Sequence, residues 1–184
     1  MALLLNSTKK EQGVLKSPLV EAAFRAVDRK DFVPEETLAE AYGNYPLSIG
    51  EGQTISQPYT VAFMLDVLDP QPGYKILDIG AGSGWQAALL AHIVGEQSGA
   101  QSSKFKVQSS GRVVAVERIP ELCGLARSNI EKYGFIKNGV VELICADATQ
   151  DLRKYAPFNK IIAAAAAGRD IPRAWRAQLK IGGK

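Results

Sequence analysis

The apolar positions of this chain fall into two rhythms. In the first they form short unbroken runs: Ile76, Leu77 and Ile79, then Val113 to Val116, Val140 to Cys145, and Ile161 to about Ala166. Runs of this length between turn residues predict strands buried in a sheet. In the second they recur every three or four residues. Leu19, Val20, Ala23, Phe24 and Val27 do so after Ser17-Pro18, and Val61, Ala62, Met64, Leu65 and Leu68 after Pro58. Ala87 to Ala91 form an apolar helical pattern after a glycine-rich turn, and Leu122, Leu125, Ala126 and Ile130 follow Pro120. Each such stretch predicts a helix with one face on the core. Ser17 is placed as an N-cap with Pro18 at the first helical position. Glu35 to Tyr42 predicts a shorter helix ended by Gly43-Asn44, and Tyr45 to Gly50 an extended or irregular stretch. Ile171-Pro172 opens a last helix carrying Trp175 and Leu179, and a further strand is due near Ile181. Strands alternating with helices predict an α/β fold, a Rossmann-like, doubly wound and mostly parallel sheet.

A length of 184 residues suits one domain, 1–184, with a full core. Residues up to about 16 read as a loose arm, and the polar, Ser- and Gln-rich residues 95–110 as a flexible insertion. Composition excludes several classes of function. A net charge of +3 is too small to imply nucleic acid or a membrane surface, and no basic patch interleaved with aromatics points to RNA. No run of about 18 apolar residues is present to span a membrane, and the first residues lack the basic n-region of a signal peptide. Cys123 and Cys145 are far apart and form no C-x-x-C, so they read as free thiols of a reducing cytosol and the protein as cytoplasmic. His92 is the only histidine, which argues against a His-rich metal site or a Ser-His-Asp triad.

The chemistry concentrates in Lys75-Ile-Leu-Asp-Ile-Gly-Ala-Gly-Ser-Gly-Trp85. Strand, glycine turn, helix is how an α/β protein brings backbone N–H groups and a helix N-terminus to a ligand. The pattern is G-x-G-x-G, with Trp85 where a dinucleotide fingerprint has its third glycine. The next strand ends in Glu117, placed to accept ribose hydroxyls. It lies 37 positions after Gly80, against about 20 in the usual spacing, and the insertion accounts for the excess. Asp78, Glu117 and Asp147 all fall at or just beyond strand carboxyl ends, where open α/β sheets bind ligands. Ser56, just ahead of Pro58, stands at a helix N-terminus, as an N-cap or as part of an anion site.

Several segments together resemble the protein-L-isoaspartate O-methyltransferases, from about Phe32 to the C-terminus. The strongest are Gly52-Gln-Thr-Ile-Ser-Gln-Pro-Tyr59 and Asp78-Ile-Gly-Ala-Gly-Ser-Gly-Trp-Gln86; Val116-Glu-Arg118, Asp147-Ala148, Ala156-Pro-Phe158 and Gln178-Leu-Lys-Ile-Gly-Gly183 support them. The resemblance implies a fold of the S-adenosylmethionine-dependent methyltransferase type, with 1–73 on the substrate side and 74–184 as the cofactor-binding core. It implies cofactor contacts from Asp78, from Gly80, Ala81, Gly82, Ser83 and Gly84 beside the methionine part, from Glu117 and Arg118 at the ribose, and from Asp147 and Ala148 at the adenine. Ser56 matches the family's catalytic serine, and Thr54, Ile55, Ser56 and Gln57 would line the methyl-transfer site. The implied activity methylates the free carboxyl of L-isoaspartyl residues in damaged proteins and peptides, using S-adenosyl-L-methionine and no metal. The family's C-terminal strands are not in this sequence, which would leave the strand 161–166 as a sheet edge. A cofactor-binding homologue impaired by that truncation, or a methyltransferase with another substrate, are the alternatives.

Overall fold

The computed structural model describes residues 15–95, 111–150, 152–165 and 170–184. Helix α1 (Pro18–Ala26) starts at its proline with Ser17 at the N-cap, but the Ser17 hydroxyl makes no cap bond. The backbone N–H groups of Lys16 and Ser17 donate instead to the Asp66 carboxylate at 2.8 and 3.2 Å. Tight 3-10 turns cover Arg29–Phe32 and Glu35–Glu40, the second where a helix was expected. Strands β1 (Leu47–Gly50) and β2 (Gln53–Ile55) then pair as an antiparallel hairpin. The stretch expected to be extended or irregular, Tyr45 to Gly50, thus holds β1, while its pairing with β2 has no signal in the sequence. Its only pattern is Leu47 and Ile49 alternating with exposed neighbours over four residues, too short to stand out. Helix α2 (Pro58–Leu68) follows.

The central sheet comprises β3 (Lys75–Ile79), β4 (Arg112–Glu117), β5 (Val141–Cys145) and β6 (Lys160–Ala163), all parallel, in the order β5-β4-β3-β6. Helix α3 (Trp85–Gly95) links β3 to the β4 side, and α4 (Pro120–Glu131) links β4 to β5. The chain then crosses back to lay β6 on the far side of β3, so the topology reverses at β3. That reversal is where an open α/β sheet leaves a crevice. Alternation along the strands divides the core. Ile76, Val113, Ala115, Val141 and Leu143 pack with α1 to α4, while Leu77, Ile79, Val114 and Val116 pack with Leu152, Phe158 and Trp175. The second face is thus closed by the chain after β5, the turn Arg153–Tyr155 and the short helix α5 (Arg173–Ala177).

Residues 1–14 of the expected arm, 96–110 of the expected insertion and 166–169 at the end of the fourth run lie outside the described residues. The edge expected at β6 is partly covered. Leu179 forms a parallel bridge with Phe158, and the Ile161 N–H donates to the Lys184 carbonyl at 2.8 Å. No helix among the described residues is long and apolar enough to cross a membrane.

The cysteines correct the sequence reading. Cys123 and Cys145 are not free thiols but are joined as a disulfide, with Cα atoms 5.8 Å apart. Their separation of 22 residues hid this. The β4-α4-β5 unit sets the first turn of α4 beside the last residue of the neighbouring strand. The pairing also removes the free-thiol argument for a reducing cytosol.

Gly84 closes the turn between β3 and α3 at φ +88°, and a Cβ there would lie 2.8 Å from Ile130 Cγ1 and 3.2 Å from Ala126 Cα. Left-handed backbone and overpacking against α4 add, so Gly84→Ala should cost about 2–4 kcal/mol in urea unfolding. A loss under about 0.5 kcal/mol, typical of a neutral surface change, would contradict this packing.

Candidate active site

Above the carboxyl ends of β3, β4 and β6 lies a cavity of about 440 Å³, within the usual range for a small-molecule site. The glycine turn forms its floor. The N–H groups of Gly80 and Ala81 both donate to the Val116 carbonyl, at 2.9 and 3.1 Å, and that of Gly82 to Glu117 Oε2 at 2.9 Å. Those amides are taken by β4 and are not aimed at a ligand, unlike the amide cradle that a phosphate would need. Gly80 also lets the chain just after β6 come close. A Cβ there would meet the Ala165 Cβ at 2.9 Å.

Glu117 is buried and lines the cavity. Its Oε1 accepts the Ile119 N–H at 3.0 Å while Oε2 holds Gly82. A carboxylate has about four lone-pair sites, so the fixed group keeps acceptor capacity for hydroxyl donors. Beyond β5, Asp147 Oδ1 accepts from the backbone N–H and hydroxyl of Thr149, both at 2.8 Å. These two bonds, with Arg118 nearby, hold its carboxyl below the usual carboxylate range. Trp175 was read only as a helix position. Its ring lines the cavity, and its Nε1–H donates to the Ala148 carbonyl at 2.7 Å, pinning that wall from α5.

Gln53, Thr54, Ile55 and Ser56, from the hairpin and the chain after it, also line the cavity. The helix N-cap is Gln57, one residue later than Ser56, and it makes no side-chain cap bond. The Ser56 hydroxyl is therefore not used to start α2. Of the residues singled out in the sequence, the structure gathers Thr54, Ile55, Ser56, Gly80, Ala81, Gly82, Ser83, Glu117, Arg118, Asp147 and Ala148 around this cavity. Gln57, Asp78 and Gly84 are not among its lining residues.

Asp78 does not line the cavity, but its hydrogen-bond partner Gln86 does. Residues alternate along β3, so it shares the helix-covered face with Ile76 and lies fully buried under the first turn of α3. Its Oδ1 accepts from Gln86 Nε2 at 2.7 Å, and its Oδ2 has no hydrogen-bond partner among the described residues. Burial pushes its carboxyl up to about 7, against the Gln86 hydrogen bond and with help from the Glu117 charge. Among the described residues, no group of three or more His, Cys, Asp or Glu side chains is placed to hold a metal ion.

The sheet order, the glycine turn after β3 and the carboxylate ending β4 are those of a Rossmann-like cofactor-binding domain, and the family match identifies it as the domain of an S-adenosylmethionine-dependent methyltransferase. A solved structure described as a beta-aspartate methyltransferase from Plasmodium falciparum, in complex with S-adenosyl-L-homocysteine, shares the fold. The match has a TM-score of 0.81, covers 100% of this chain and 80% of that one, and has 23% identity, so it speaks for architecture alone. The family model described as protein-L-isoaspartate(D-aspartate) O-methyltransferase matches residues 2–184, and the chain belongs to that family. The protein-L-isoaspartate O-methyltransferase of Methanopyrus kandleri is 42% identical over 95% of this chain, and that of Aeropyrum pernix 46% identical over 95%. The chain spans 70% of the first relative's length and 61% of the second's.

The Asp78 carboxyl makes stability depend on pH. Between its ordinary value near 4 and about 7, the folded protein keeps a proton that the unfolded chain releases. This contribution is therefore full below pH 4 and is lost as pH rises through 7. Asp78→Asn mimics the protonated group, so its Tm should fall less than the wild type's between pH 5 and 8. Parallel Tm curves would contradict the assignment.

Proposed function

We propose that this cavity binds S-adenosyl-L-methionine and that the chain transfers its methyl group to the free α-carboxyl of an L-isoaspartyl residue in a damaged protein or peptide. The observation that carries this reading is that Ser56 and Thr54 line the same cavity as Gly80 to Ser83 and Glu117. The residues fit the cofactor. Glu117 is a fixed, buried acceptor for ribose hydroxyls, Asp147 and Ala148 flank a slot walled by Trp175 for the adenine, and the floor offers no amide cradle for phosphate. When bound, the cofactor supplies a sulfonium-activated methyl group, which needs no metal.

The acceptor needs no general base. An α-carboxyl has a pKa near 3.5 and is an anion at neutral pH. The protein's task is to place that anion in line, about 3–3.5 Å from the methyl carbon. The Ser56 hydroxyl donates a hydrogen bond that orients the carboxylate without neutralising it. The N-terminus of α2, beginning at Pro58, adds the positive end of a helix dipole on the same side. Ile55, Val61 and Trp85 supply apolar wall that keeps water from the reacting atoms. In the product the neighbouring amide nitrogen attacks the ester carbonyl and expels methanol, which re-forms the succinimide, and hydrolysis of that ring returns a share of normal aspartate.

A hydrogen bond from Ser56 to a charged group is worth about 1.5–3 kcal/mol. Ser56→Ala should therefore lower methylation of an isoaspartyl peptide roughly 10- to 100-fold, with S-adenosyl-L-homocysteine binding kept; unchanged turnover would reject the role. The activity itself is tested with radiolabelled cofactor and paired peptides that differ only in an isoaspartyl or an aspartyl linkage. Label should enter the first and not the second. Equal labelling, or labelling of neither, would overturn the proposal.

A further inference from the structure

Arg29 belongs to none of the segments that define the site, yet it reaches the acceptor wall. Its side chain is fully buried in the turn Arg29–Phe32. Nη1 donates to the carbonyls of Ala41 and Gly43 at 2.8 and 3.2 Å, and Nη2 to those of Tyr45 and Ser56 at 3.1 and 3.2 Å. The guanidinium also lies over the Trp85 ring, with Cζ 5.5 Å from its centroid, and Trp85 is the residue that follows the glycine turn. One planar group thus fastens the chain before the hairpin, the main chain of Ser56 and the first residue of α3.

We propose that Arg29 is a positioning residue of the active site, whose buried guanidinium sets the main chain of Ser56, and so its hydroxyl, at a fixed distance from the glycine turn. The inference rests on the reading of Ser56 as the acceptor-side residue. Burial lowers the Arg29 pKa to about 10, so it stays charged at neutral pH. Its partners here are carbonyl oxygens, with no carboxylate among them. That suits a rigid fork of donors, which arginine has and lysine lacks. A lysine keeps the charge, but three donors on one nitrogen cannot serve four carbonyls spread around a planar fork.

The test is Arg29→Lys beside Arg29→Met. In Arg29→Lys, kcat/KM for the isoaspartyl peptide should fall about 30- to 100-fold, the scale of an ångström-sized misplacement. Calorimetric affinity for S-adenosyl-L-homocysteine should stay within about threefold, because Glu117 and Asp147 do not depend on Arg29. Hydrogen exchange should quicken over residues 41–57 and not over 80–84. Where Arg29→Met fails to fold, Arg29→Lys decides. Full activity in Arg29→Lys, or cofactor affinity and turnover falling together, would overturn the proposal and leave Arg29 merely structural. A wild type that methylates no isoaspartyl peptide would overturn the substrate reading alone. Exchange would still judge Arg29, with unchanged rates over 41–57 counting against it.

Discussion

Two backbone N–H groups, from Gly82 and Ile119, converge on the buried carboxylate of Glu117. The rest of the site depends on this clasp. It joins the turn after β3 to the end of β4, so the floor and one wall of the cavity cannot drift apart. It also consumes the amide that the turn would otherwise present, and the Val116 carbonyl consumes two more. A buried carboxylate is stable only when its oxygens are satisfied. Here the backbone fixes it while leaving lone pairs for a ligand's hydroxyls.

The hairpin side of the cavity is built on different physics. A three-residue strand and the chain after it carry Thr54, Ile55 and Ser56. Such a short hairpin is marginal alone. It is held from beneath by Ile49 and Ile55 in the core, and from behind by the Arg29 guanidinium. The two halves of the site therefore meet over Trp85, which packs edge-on against Phe24 of α1 and lies under Arg29. Relatives of this chain share the family but are longer; among the described residues, the hairpin, the glycine turn, the end of β4 and the chain after β5 line one cavity.

Much of the fold was legible in the sequence because buried strands declare themselves as apolar runs. The runs at Ile76, Val113, Val140 and Ile161 all became strands of one parallel sheet. What stayed hidden was either too short or not local. The hairpin had four residues of alternation to show. The disulfide joins cysteines brought together only by the β4-α4-β5 crossover. Asp78 was placed correctly near the carboxyl end of its strand, but nothing local in the sequence told that its carboxyl would be fully buried against Gln86. The glycine turn and Glu117 were visible by spacing, but the direction of the turn's amides was not, because it depends on the Val116 carbonyl one strand away. Arg29 gave no sequence signal, since four carbonyl acceptors scattered from Ala41 to Ser56 carry no side-chain signature.

The central claim is geometric, that one cavity brings an anionic acceptor and a sulfur-borne methyl group into line without proton transfer. A crystal structure of the protein with S-adenosyl-L-homocysteine and an isoaspartyl peptide tests it most directly. The account predicts the ribose on Glu117, the peptide carboxylate within about 3.2 Å of Ser56 Oγ, and that carboxylate facing the sulfur. A peptide carboxylate bound outside the cavity, or Ser56 turned away from it with the cofactor in place, would contradict the account.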